Sequence, residues 1–181
     1  MAERTVGAQV GFEGRLLKLE VLDVELDSGL RSVREIVRHC GAVVILAHLP
    51  DGRFALVKQF RKAVERDLIE AVAGTLDPGE TPQQCALREL MEETGHAAET
   101  LEKLGSIYPA PGYVDEKLHL YYSRLKEGRS DASPDHDEVV EVVYLSAEEI
   151  DAMIDSGEIC DAKTIAIWHL FMKRCPGGSI S

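Results

Sequence analysis

Between Gly74 and His96 the chain reads Gly-Thr-Leu-Asp-Pro-Gly-Glu-Thr-Pro-Gln-Gln-Cys-Ala-Leu-Arg-Glu-Leu-Met-Glu-Glu-Thr-Gly-His, a loop followed by one short helix with both ends written into it. Thr81 suits the N-cap and Pro82 the first helical position, and Gln84 completes a Thr-x-x-Gln capping box. Gly95 suits the C-terminal cap. Within the helix Glu89, Glu92 and Glu93 fall at i, i+3 and i+4, so they share one face with Cβ atoms about 5–6 Å apart. Three carboxylates that close repel one another, which weakens the helix unless a hard divalent cation with oxygen ligands, Mg²⁺ or Mn²⁺, turns repulsion into coordination. A solvated charged face is the competing reading of Glu89, Glu92 and Arg88.

The segment resembles the signature of the Nudix hydrolases: Gly, five residues, Glu, seven residues, then Arg-Glu-apolar-x-Glu-Glu-x-Gly-apolar. Gly74, Glu80, Arg88, Glu89, Leu90, Glu92, Glu93 and Gly95 all match, while His96 stands where the family usually has an apolar residue. Further stretches, Arg34 to Ile45, Val57 to Arg61, Leu68 to Gly74 and Gly157 to Ile165, look like the ADP-ribose pyrophosphatase branch. So does Pro111, sixteen residues beyond Gly95. The resemblance implies an α/β/α sandwich with a mixed sheet.

Composition bounds the alternatives. At 181 residues with 45% hydrophobic content, the chain can bury the core of one domain with a small appendage. A net charge of −12 argues against a nucleic-acid groove or an anionic membrane surface as partner. Cys40, Cys85, Cys160 and Cys175 form no Cys-x-x-Cys pair, so they read as reduced thiols. The N-terminal residues lack the apolar core of a secretory signal, and no apolar run reaches the length of a membrane span. A cytoplasmic location is therefore expected.

Strand-like alternation from about Val6 to Arg38 predicts a meander. A second block opens at Cys40. Gly41 to Leu49 reads as a buried strand, Pro50 to Arg53 as a hairpin turn, and Phe54 to Phe60 as the returning partner. Arg66 to Ala73 reads as one strand leading into the glycine loop. Further strands are expected at 104–108, 117–125 and 138–145, with a helix from Ser146 to Ser156 and an amphipathic one from Asp161 to Arg174. The expected organisation is thus an N-terminal β region over residues 1–38 and a Nudix domain over 39–181. An isolated set of strands is marginally stable, so the N-terminal region is expected to pack in a homodimer.

The resemblance also implies site roles. Glu89, Glu92 and Glu93 are the expected catalytic metal ligands, joined by the carbonyl of Ala73, with Glu80 a further candidate ligand. Arg88 and Glu80 are expected to orient the loop and its carboxylates. Arg34 and Arg61 match arginines that hold the diphosphate and terminal ribose, and a guanidinium fork suits such oxygens. For each, pairing with a nearby acid is the alternative. Glu70 and Glu116 are expected near the nucleotide sugar, with a plain strand-edge glutamate as the alternative for Glu70. Glu138, in an acidic loop, is the expected general base, with Asp137 and Glu141 as alternates. The implied reaction is Mg²⁺-dependent hydrolysis of ADP-ribose to AMP and ribose 5-phosphate. The alternatives are another nucleotide sugar such as GDP-mannose, or a non-catalytic nucleotide-binding module.

Overall fold

The protein is described from a computed structural model, covering residues 3–15, 17–130 and 140–175. Two compact units emerge: Met1–Gly41 with Tyr108–Lys117, and Ala42–Ile107 with Leu118–Ser181.

In the first unit, β1 (Glu3–Glu13), β2 (Lys18–Leu26) and β3 (Arg31–Arg38) form an antiparallel meander. The expected alternation produces it, with Leu22 opposite Ala8 on one side and Arg34 on the other. The segment 108–117, assigned by sequence to the second block, belongs to this unit. The Val37 N–H donates to Tyr113 O at 2.8 Å and the Asp115 N–H to Val37 O at 3.2 Å. The Asp115 carboxylate accepts from the Arg38 guanidinium at 3.0 Å and the His39 N–H at 2.9 Å.

The second unit is built on a mixed sheet in the order β10-β5-β4-β9-β8, with β6 on β5 and β7 on β4. Its strands are β4 (Ala42–His48), β5 (Phe54–Arg61), β6 (Arg66–Glu70), β7 (Val72–Thr75), β8 (Glu102–Ile107), β9 (Leu118–Arg124) and β10 (Val140–Leu145). Only the β4–β9 pairing on this path is parallel. The helices are α1 (Pro82–Thr94), α2 (Ala147–Asp155) and α3 (Ala162–Arg174).

Strand β4 is apolar through Ala47 because both of its faces are covered. Ala42, Val44 and Leu46 enter a core with Ile150 of α2 and Trp168 and Phe171 of α3. Val43, Ile45 and Ala47 enter another with Cys85, Ala86 and Leu90 of α1. The period-2 alternation of the strand thereby writes an α/β/α sandwich. Under α3, Phe54 meets Trp168 edge-on at 5.2 Å and Tyr122 stacks on Phe171 at 5.0 Å, so the apolar face of the closing helix is core.

One expected element is divided. The run Arg66 to Ala73 is two strands, because Glu70 still pairs with Val57 of β5 whereas Val72 pairs with Ile45 of β4. Ala71 sits at the break. The four cysteines are free thiols, Cys85 and Cys175 buried, Cys40 and Cys160 exposed.

Candidate active site

Helix α1 starts as its residues dictate. Thr81 Oγ1 accepts from the Gln84 N–H at 3.3 Å and Gln84 Oε1 accepts from the Thr81 N–H at 3.0 Å. Gly95 closes it with φ of 72°, a left-handed conformation that glycine adopts without steric cost. Cys85, Ala86 and Leu90 face the sheet. Turned with them, Glu93 is buried at 5% exposure and its Oε2 accepts from the Ala73 N–H of β7 at 3.3 Å.

Around Arg88 the remaining carboxylates converge. Its Nε and Nη2 fork onto Glu80 at 3.0 and 2.9 Å, while Nη1 donates to Glu89 Oε1 at 2.7 Å and Glu92 Oε2 at 2.9 Å. The solvated-face reading thus fails for Glu89, whose side chain is 13% exposed in this cluster. Hydrogen bonding to Arg88 outweighs burial and lowers the Glu80 carboxyl to about 2, while the carboxylates hold the Arg88 pKa above its usual value. Beneath the loop, burial pushes the Cys85 thiol up to about 12, so it stays a neutral packing group.

Gly74 explains the first position of the signature. A Cβ there would lie 1.8 Å from Glu89 Cδ, so the carboxylate occupies the space that only a missing side chain leaves. The cradle collects oxygen donors, carboxylates with nearby main-chain carbonyls, and this donor set fits a hard divalent cation. Among the described residues no three acidic, histidine or cysteine side chains are posed as a finished coordination shell, since Arg88 draws the glutamates to itself.

A second charged cluster lies at the end of β6. Glu70, 1% exposed, receives Arg61 Nε at 2.7 Å and Nη2 at 2.6 Å, together with Lys163 of α3. It is a buried ion-pair centre and no strand-edge ornament. Burial raises the Glu70 carboxyl, but Arg61 and Lys163 together outweigh it, and the net pKa falls below the usual 4.5. A depressed carboxylate stabilises the fold above its unfolded pKa and loses that contribution as pH falls toward its folded value. Glu70→Gln is therefore expected to lower stability at neutral pH by about 2–3 kcal/mol, discounted because Arg61 is 39% exposed. The deficit should shrink as pH falls below the usual carboxylate range, a trend that melting curves of both proteins from neutral to acidic pH would read.

Arg34 and Glu116 belong to the first unit. Arg34 forks onto Glu3 at 3.2 and 2.6 Å, and Glu116 lies 3.5 Å from His39 Nδ1. Pairing with an acid, the alternative for both arginines, is what each of them does here. Asp137 and Glu138 lie outside the described residues. Glu141 is exposed on β10, opposite Lys58 of β5. Sequence reading gave no role to Lys163 or Thr164. Their local signals are the family-like stretch Gly157 to Ile165 and the N-cap Asp161, whose side chain accepts from the Thr164 N–H at 3.0 Å.

Comparison with known proteins places these features in context. Residues 38–166 match the model of the NUDIX domain. The chain is 43% identical over 179 residues to the ADP-ribose pyrophosphatase of Bacillus subtilis (strain 168), covering 96% of this chain and 95% of the relative. It is 42% identical over 174 residues to the methanol dehydrogenase activator of Bacillus methanolicus, covering 95% and 94%. Against the GDP-mannose pyrophosphatase of Yersinia enterocolitica serotype O:8 / biotype 1B it is 36% identical over 149 residues, covering 77% and 78%. The fold superposes on a crystal structure of an ADP compounds hydrolase with TM-score 0.85 at 22% identity, covering 98% of this chain and 96% of the other. A glutamate helix seated on a side-chain-free glycine, in a sandwich of this topology and with this run of matched residues, makes the chain a member of the NUDIX family.

Proposed function

We propose that the chain hydrolyses the diphosphate linkage of ADP-ribose to AMP and ribose 5-phosphate, with Mg²⁺ or alternatively Mn²⁺ bound among Glu89, Glu92, Glu93, Glu80 and the Ala73 carbonyl. The observation that carries this reading is the cradle at Gly74, where the Glu89 carboxylate fits against a bare main chain beside Arg88. The extensive identity to a named ADP-ribose pyrophosphatase supports the substrate. The bound cation would supply charge neutralisation and polarisation of the phosphoryl oxygens.

The chain's own groups do the rest. Arg88 gathers Glu80, Glu89 and Glu92 on one side of the helix, which restricts their rotamers before a ligand arrives. Arg61, braced by Glu70, is a candidate to bind diphosphate oxygens, and Arg34 and Glu116 are assigned to the nucleotide sugar. In the reaction a water oxygen forms a bond to one phosphorus, the bridging phosphorus–oxygen bond breaks, and the water proton passes to a base. Glu138 is assigned as that base, with Asp137 and Glu141 as alternates. Glu138→Gln should cut kcat by roughly 10²-fold with an unchanged melting temperature. A full rate in the variant would remove Glu138 from the role.

The three-stranded sheet leaves Val6, Val10, Phe12 and Val33 between 42% and 59% exposed, which supports a homodimer as the working assembly. Light scattering that returned a monomer mass would refute it. Among the described residues no helix is long and apolar enough to cross a membrane, and we assign the protein to the cytoplasm.

The deciding experiment is turnover of ADP-ribose, GDP-mannose, UDP-glucose, NADH and diadenosine polyphosphates, each with Mg²⁺, Mn²⁺ or EDTA, and chromatography of the products. Metal-dependent preference for ADP-ribose yielding AMP supports the proposal. Preference for GDP-mannose, the substrate in the names of several relatives, would keep the chemistry and change the sugar. Binding without turnover of any compound would make the chain a nucleotide-binding module.

A further inference from the structure

Ala71 is 1% exposed and stands where the chain leaves the β5 ladder, at Glu70 opposite Val57, and joins the β4 ladder, at Val72 opposite Ile45. Its N–H donates to Thr164 Oγ1 of α3 at 2.7 Å. A buried N–H needs such a partner, because water cannot reach it. Thr164 is itself 1% exposed, and its hydroxyl passes the chain of donors on to Asp161 Oδ2 at 2.6 Å. Lys163, the neighbour of Thr164 in the chain, binds Asp161 Oδ2 at 3.1 Å and also Glu70. The first turn of α3 therefore grips residue 70 by its side chain and residue 71 by its main chain.

Downstream of that grip lies the carboxylate site. The Ala73 N–H meets Glu93, and Gly74 seats Glu89. We infer that Thr164, braced by Asp161 and Lys163, is a positioning residue that sets where residues 73–74 meet the glutamates of α1, and so tunes the affinity of the site for a divalent cation. A displacement of the strand would be felt there, because the Ala73 N–H bonds Glu93 and the Glu89 carboxylate fills the space beside Gly74. The inference rests on the metal-site reading above.

Thr164→Val keeps the volume and removes the hydroxyl, whereas Thr164→Ser keeps the hydroxyl. Titration with Mn²⁺ followed by electron paramagnetic resonance should show the valine variant weakened by roughly tenfold and the serine variant within about twofold of the unmutated protein. A merely structural threonine would lower the melting temperature and leave the Mn²⁺ affinity alone, and that outcome overturns the inference. Amide hydrogen exchange of the unmutated protein tests it without any variant. Ala71 should be protected as strongly as the centre of β4, and exchange as fast as a surface amide would refute the grip. If the unmutated protein fails to bind Mn²⁺ while Ala71 is protected, the metal-site reading falls, and the tuning role with it.

Discussion

Gly74→Ala should leave a folded protein that has lost metal-dependent turnover by roughly 10²-fold or more. The added Cβ would sit 1.8, 1.9 and 2.4 Å from Glu89 Cδ, Oε1 and Oε2. No atom pair tolerates that approach, so something moves. What moves is the far end of a flexible side chain, which can swing out at small cost in stability. The same swing takes the carboxylate away from the cradle. Folding and function are thereby separated: the melting temperature should shift by a few degrees only, while Mn²⁺ affinity and kcat fall together. Retained activity with normal Mn²⁺ binding would show that Glu89 acts from a different position.

Glu93→Gln is expected to have an effect at least as large on rate, roughly 10³-fold, with little effect on stability. Loss of a carboxylate that holds a cation against a developing phosphoryl charge removes about 4 kcal/mol of transition-state stabilisation, equivalent to three orders of magnitude. The amide keeps the shape of the side chain and its carbonyl can still accept from the Ala73 N–H, now 3.3 Å away from Glu93 Oε2. Glu93 is 5% exposed, and exchanging a buried charge for a neutral group relieves desolvation. Calorimetry of the metal-free proteins should therefore show the variant as stable as the unmutated chain or more so, with the kinetic defect unchanged by added Mg²⁺. A variant with full kcat would remove Glu93 from the metal set. Combining it with Gly74→Ala should cost less than the sum of the two, since both act on one cluster.

The two sites of charge differ in how far the sequence announced them. Helix α1 is encoded locally: Thr81, Pro82, Gln84 and Gly95 lie within reach of its ends, and Glu89, Glu92 and Glu93 are neighbours by helical spacing alone. The apolar run of β4, alternating between two cores, likewise announces a sheet with helices on both faces. Both features depend on interactions between residues a few positions apart, and a period read along the chain contains them.

The Glu70 centre depends on Lys163, 93 residues away, and no periodicity links the two. Sequence also ran β6 and β7 together, since Arg66 to Ala73 is continuous in propensity, and the change of ladder at Ala71 is a decision of the sheet. The grouping of Tyr108–Lys117 with the N-terminal strands comes from hydrogen bonds between Val37 and residues 113 and 115, again remote in sequence. By itself, then, the sequence determined the capped glutamate helix, the family signature and the covered sheet, because short-range sterics, capping and alternation dictate them. Only the tertiary structure decided that Glu89 fills the space beside Gly74, and that Asp161, Lys163 and Thr164 grip the strand break. Those choices arise when distant segments must bury charge and main-chain donors together, and the partners that satisfy them are found only in the folded chain.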